Sequence, residues 1–219
     1  HNVETVTNVQ KAEFQKTTLD NGLRVVTSEV AHVRSASIGV FVGVGSRYES
    51  EAQSGISHFI EHMVFKGTRR RPTPGEISGA IKGVGGLLNA ATEQELTSYW
   101  CKVPDFHVEE SLDVIFDMLR GSVFNPDDVE KERMVIVEEL NMINDQPNYK
   151  VDALIDEMLW PDHPLGRDIG GTKESIGDIK GDAMVGYMAD SYTPNNVVVS
   201  VAGVVDHDKV VEQIATLSK

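Results

Sequence analysis

The chain has 219 residues, 40% of them hydrophobic, enough for one domain with a sizeable core or two small ones. A formal net charge of −14 argues against nucleic-acid binding through a general basic surface. No apolar run approaches the ~20 residues that span a bilayer, the N-terminal HNVETVTNVQ has no apolar signal core, and the single cysteine, Cys101, permits no internal disulfide and fits a reducing compartment.

FQKTTLDNGLRVVTSEV holds two β-rich runs around Asp20-Asn21-Gly22, and Asn-Gly between such runs is a hairpin signal. SASIGVFVGVGS alternates and reads as a third strand, its glycines marking close packing by another element. From Gln53 to Phe65 the pattern turns helical. The KGTRRR run at Lys66–Arg71 reads as a solvated loop. TPGEISGAIKGVGG predicts a short helix with Thr73 as N-cap, Pro74 at N1 and glycines at its end. GLLNAATEQELTSYWCKV reads as two strands or one bent hairpin, with Cys101 a buried strand residue.

Phe106 to Arg120 forms an amphipathic pattern stopped by Gly121. NPDDVEKERMVIVEELNMIND predicts a helix with Asn125 as cap, Pro126 at N1 and acids in the first turn. A further helix covers Tyr149 to Leu159, then a Pro/Gly loop, then one or two helices to Tyr192. NNVVVSVAG is an apolar β run of a buried strand, and Asp206 caps a final helix. The whole reads as one α+β domain with helices layered on a sheet.

The sharpest signal is HFIEHMVFKGT, where His58, Glu61 and His62 stand at i, i+3 and i+4 and share one helical face. Two imidazoles one turn apart can grip a zinc ion, and Glu61 between them can take a proton from a water the metal holds. So short a pattern also arises by chance, but Phe59, Ile60, Met63, Val64 and Phe65 predict a buried helix. Buried histidine and glutamate are costly unless paired or metal-bound. A third ligand must come from elsewhere. The helix from Pro126 offers Glu130, Glu132, Glu138 and Glu139, with Glu132 and Glu139 on one face beside a stripe containing Val135 and Ile136. Spacing does not choose between Glu138 and Glu139. GVGG lacks the Lys-Ser/Thr of a phosphate loop. His32, His107 and His163 read as ordinary surface or loop histidines.

LDNGLRVVTSE, GVGSRYE, GISHFIEHMVFKGT, GGLLNAATEQELTSYW, ERMVIVEEL and HPLGRDIGGT together resemble the N-terminal part of the pitrilysin-type (M16) zinc metallopeptidases. The resemblance is strongest to the branch of bacterial processing proteases and the mitochondrial processing peptidase beta subunit. It implies a mixed, mainly antiparallel sheet covered by helices, with an N-terminal extension over 1–15 and the zinc-binding domain over 16–219. It assigns the third zinc ligand to Glu139, 77 positions after His62. Glu132 becomes the carboxylate that orients the ligands, and Glu61 the general base. Asn89 and Ala90 fall on the edge strand to which a peptide substrate adds by main-chain hydrogen bonds.

The function so implied is a Zn2+-dependent endopeptidase acting on extended peptides. Its alternatives are a non-catalytic peptide-binding or core module of a peptidase complex, and a zinc domain without peptide chemistry. The resemblance also implies a second homologous domain or subunit, absent from this chain, in a homo- or hetero-oligomer. Neither nucleic acid nor membrane is an expected partner. A bacterial cytoplasm is the expected compartment, a mitochondrial matrix the alternative.

Overall fold

The computed structural model describes residues 13–219, so residues 1–12 of the expected N-terminal extension lie outside the described residues. Six strands form one sheet: β1 (Gln15–Thr18), β2 (Arg24–Glu29), β3 (Ser35–Val42), β4 (Leu87–Thr92), β5 (Thr97–Pro104) and β6 (Val197–Gly203). Their order is β1-β2-β6-β3-β5-β4. Every pairing is antiparallel except β2 with β6, so the sheet is mixed and mainly antiparallel, as expected. The helices are α1 (Ile56–Met63), α2 (Pro74–Lys82), α3 (Val108–Gly121), α4 (Pro126–Asn144), α5 (Pro147–Leu159), α6 (Lys173–Asp178), α7 (Gly181–Ser191) and α8 (His207–Leu217).

Register explains why one face of the sheet is buried. Val40 pairs with both Tyr99 and Val199, and Ile38 with both Cys101 and Val201, so the apolar positions of three strands line up on one side. All six are buried, whereas Trp100, on the opposite side of β5, is exposed. α1 and α2 pack on β4, α3 packs on β3 and β5, and α8 packs on β2; α4 lies across α1, and α5 and α6 lie against α4. The Asn-Gly hairpin turns at Gly22 (φ 91°), with Asn21 Oδ1 accepting from the Leu23 N–H at 3.1 Å.

The caps read from sequence form as expected. Thr73 and Glu76 make a reciprocal capping box on α2, Asn125 accepts from the Asp127 N–H on α4, and Asp206 accepts from the Lys209 N–H on α8. Gly45 shows why β3 runs into glycines: a Cβ there would lie 2.2 Å from the Glu93 carbonyl oxygen.

Two readings change. The basic run is not merely solvated, because Lys66 pairs with Glu132, Arg70 with Asp113, and Arg71 with Asp113 and Asp117. Asp117 is buried and also accepts from Thr68, so Arg71 neutralises a carboxylate inside the fold. On α4 the buried stripe is Val129, Glu132, Ile136 and Leu140, while Val135 is exposed. Among the described residues, no helix is long and apolar enough to cross a membrane.

Candidate metal centre

α1 is buried along Ile56, Phe59, Ile60 and Met63, and His58 and His62 emerge on the side that faces α4. Arg133 anchors α4 there: its guanidinium sits 5.4 Å from the Phe59 ring centroid, and it donates to the carbonyls of Ile176 and Ile179. The helix crossing brings Glu139 to His58 and His62. His58 Nε2 and His62 Nε2 are 3.1 Å apart, and Glu139 Oε2 is 3.8 Å from the first and 3.4 Å from the second.

Three donors on a zinc tetrahedron with bonds of roughly 2.0–2.1 Å sit about 3.3–3.4 Å apart. The observed triangle is close to one face of that tetrahedron. The donor set, two imidazoles and a carboxylate, is one that zinc accepts. His58, His62 and Glu139 form a group of this kind, and Glu138, the alternative on α4, is not part of it.

The protonation pattern fits a cation. Glu132 Oε1 lies 3.0 Å from His62 Nδ1, so Nδ1–H donates to the carboxylate and the Nε2 lone pair faces His58. Two facing ring nitrogens need either a proton or a metal between them. Burial, and secondarily the adjacent His62, pushes the His58 imidazole down to about 4, so it is neutral at pH 7 and able to ligate. Glu132 is buried at 6% exposure, and Lys66 Nζ, 2.5 Å from its second oxygen, compensates its charge.

Glu61 is half-buried on the same helix, and Thr92 Oγ1 donates to its Oε2 at 2.6 Å. Thr92 ends β4, the free edge of the sheet. Asn89 and Ala90 lie on that strand, opposite Trp100 and Tyr99. The Ala90 N–H is turned away from β5 and is accepted by Asn89 Oδ1 at 2.9 Å, so the edge carries a donor held only by a side chain.

All seven residues singled out from sequence therefore lie on three neighbouring elements, α1, α4 and β4. Lys66 and Thr92 escape sequence reading. Lys66 lies in the turn after α1, and its partner Glu132 is 66 positions away. Thr92 carries no local signal. His163 accepts from the Leu165 N–H and His107 pairs with Glu110, both ordinary roles.

The model of the family described as Insulinase (Peptidase family M16) matches residues 24–173. An uncharacterized zinc protease of Streptomyces coelicolor is 42% identical over 200 residues, covering 91% of this chain and 43% of that protein. A probable mitochondrial-processing peptidase subunit beta of Arabidopsis thaliana is 38% identical over 205 residues, covering 94% of this chain and 38% of that protein. The crystal structure of a protease from Helicobacter pylori superposes with a TM-score of 0.89 at 26% identity, covering 94% of this chain and 50% of that one. The chain thus spans half or less of the length of these relatives, and it belongs to peptidase family M16, the insulinase family.

Proposed function

We propose that this chain is the zinc-binding domain of an endopeptidase that hydrolyses extended peptides, with residues 16–219 as the working unit. The observation that carries the reading is the convergence of Glu139 with His58 and His62 on the helix that also carries the Thr92-bonded carboxylate of Glu61. His58 Nε2, His62 Nε2 and Glu139 would hold the ion, and Glu132 keeps the His62 proton on Nδ1 so that Nε2 stays a donor of electrons. Bound zinc would supply a Lewis acid that polarises a carbonyl and lowers the pKa of water.

Glu61 acts as the general base: its carboxylate accepts the proton of the attacking water and passes it to the leaving amine. The 2.6 Å hydrogen bond from Thr92 holds that carboxylate in place. Asn89 and Ala90 offer the edge of β4 to the peptide main chain, with the Ala90 N–H released from Asn89 to pair with it. A reducing compartment, a bacterial cytoplasm or a mitochondrial matrix, suits the buried free thiol of Cys101.

A second homologous domain or subunit completes the enclosure in this reading. Ten of the eighteen exposed large apolar side chains among the described residues lie between Met134 and Trp160, on α4, α5 and the residue after α5. Apolar surface concentrated in this way marks a contact face. The same feature favours a second reading, in which the domain binds zinc and peptide but catalyses only when its other half is present.

A quenched fluorescent peptide library separates these. The zinc-loaded chain is incubated with it, using Glu61→Gln as the blank. Cleavage above the blank supports the endopeptidase. Zinc binding without cleavage favours the second reading. A chain that binds no zinc contradicts both.

A further inference from the structure

α1 starts without a cap of its own. Its N-cap is Gly55, at φ 89° and with no side chain to accept a hydrogen bond. The orphan N–H groups of the first turn end elsewhere: Gly55 N donates to Glu49 Oε2 at 2.7 Å and Ser57 N to Glu49 Oε1 at 2.8 Å. Glu49 is 4% exposed and lies outside the helix, after the 3₁₀ turn Ser46–Tyr48. A carboxylate gripping a helix N-terminus with both oxygens satisfies the donors and meets the positive end of the dipole.

A loop closes over the same turn. Arg167 Nη2 donates to the Glu49 carbonyl at 2.8 Å; burial holds the Glu49 carboxyl above its ordinary value, and the Ser57 and Gly55 amides and then the Arg167 charge offset only part of that. Ser175 Oγ donates to the Ser54 carbonyl at 2.7 Å. Backbone meets backbone here: a Cβ on Gly55 would lie 2.5 Å from Gly170 O, and one on Gly171 would lie 2.4 Å from Ser54 O.

His58 follows directly in this turn, and it is held differently from His62. The His62 ring is fixed through Nδ1 by Glu132. His58 Nδ1 is buried and has no hydrogen-bond partner among the described residues. Apart from its Nε2, which meets His62 Nε2 at 3.1 Å, the orientation of the His58 ring therefore derives from its backbone and packing, and the backbone is set by the turn that Glu49 grips.

We propose that Glu49 is a positioning residue for His58, acting through the first turn of α1 to set the geometry of the metal centre. The inference rests on the zinc reading given above. Glu49 touches neither the metal position nor the substrate edge, and its effect passes through the Gly55 and Ser57 amides.

The test compares Glu49→Gln, which keeps the shape but leaves one acceptor oxygen, with Glu49→Ala, which leaves none. A substitution at Ile214, a core residue of α8, is chosen to match their loss of Tm and serves as control. Zinc affinity is measured by chelator competition at a temperature where all variants are folded, and the visible spectrum of the cobalt(II)-loaded proteins reports ligand geometry. The expected result is zinc binding weakened about 10-fold in Glu49→Gln and about 100-fold in Glu49→Ala, the range for residues that orient ligands. The cobalt spectrum shifts in both and is unchanged in the control. Wild-type affinity and spectrum in Glu49→Gln, or losses equal to those of the control, overturn the proposal. If Glu49→Ala fails to fold, Glu49→Gln decides alone. Absence of zinc binding by the wild-type chain overturns the zinc reading, and this inference with it.

Discussion

α1 is eight residues long and buries five of them; α5 is thirteen residues long and buries none. Both mix apolar with charged residues. α1 lies between β4 on one side and α4 on the other, so Phe59, Ile60 and Met63 reach the core while His58, Glu61 and His62 are held at its border. α5 packs mainly along α4 and the turn at Pro164–Gly166, leaving Leu154, Ile155, Met158 and Leu159 exposed. The difference teaches that the candidate metal-binding residues stand at the border of this domain's own core, whereas the large apolar side chains of α5 stay exposed among the described residues.

The largest expected effect lies on the α1 side. Glu61→Gln should lower peptide turnover by about 10²–10⁴-fold, the usual contribution of a general base, while zinc content stays that of the wild type. Turnover at the wild-type rate would remove Glu61 from the chemistry.

Packing sharpens the comparison next. Phe59→Ala should cost about 3–5 kcal/mol in denaturant unfolding, because a fully buried ring leaves a cavity. Leu154→Ala on α5 should stay within about 0.5 kcal/mol. Similar losses at both positions would dissolve the distinction between the helices.

Glu132→Gln should weaken zinc binding about 10–100-fold, since the amide no longer accepts the Nδ1 proton of His62 with a full charge. Chelator competition measures it, and an unchanged affinity would break the link between α4 and the His62 tautomer.

The buried side should also show itself at alkaline pH. Burial pushes the Cys101 thiol up to about 12, and burial followed by the neighbouring Tyr192 pushes Tyr99 well above its ordinary value. The folded state thus keeps protons that the unfolded state releases, so stability present below about pH 9 is lost as pH rises from 9 toward 12. Urea unfolding at pH 8, 9 and 10 checks this, with stability expected to fall.

The smallest effect on stability is expected at Met158→Asp, about 0.5 kcal/mol or less, because Met158 is 80% exposed. Association with a separately supplied homologous half should nevertheless be lost in a pull-down. Retained association would move the contact face away from α5.

Local signals account for what is legible in the sequence. The i, i+3, i+4 spacing of His58, Glu61 and His62, the caps at Thr73, Asn125 and Asp206, and the apolar run of β6 all act within one element. The preference for Glu139 over Glu138 comes from family resemblance, since a one-residue choice on α4 depends on how that helix crosses α1. Other pairs are invisible because they are tertiary. Lys66 with Glu132 and Arg71 with Asp117 join residues 66 and 46 positions apart, so the basic run reads as a solvated loop until the fold places acids beside it. The hydrogen bond from Thr92 to Glu61 is hidden for the same reason. α5 shows the converse: the helix is legible, but that Leu154, Ile155, Met158 and Leu159 stay exposed among the described residues depends on how it packs along α4.

The most direct test of the account is calorimetric titration of zinc into the wild-type chain, Glu61→Gln and His62→Ala. The account predicts one equivalent bound with equal affinity by the wild type and Glu61→Gln, and binding lost in His62→Ala. Equal binding by all three would place the metal elsewhere and contradict it.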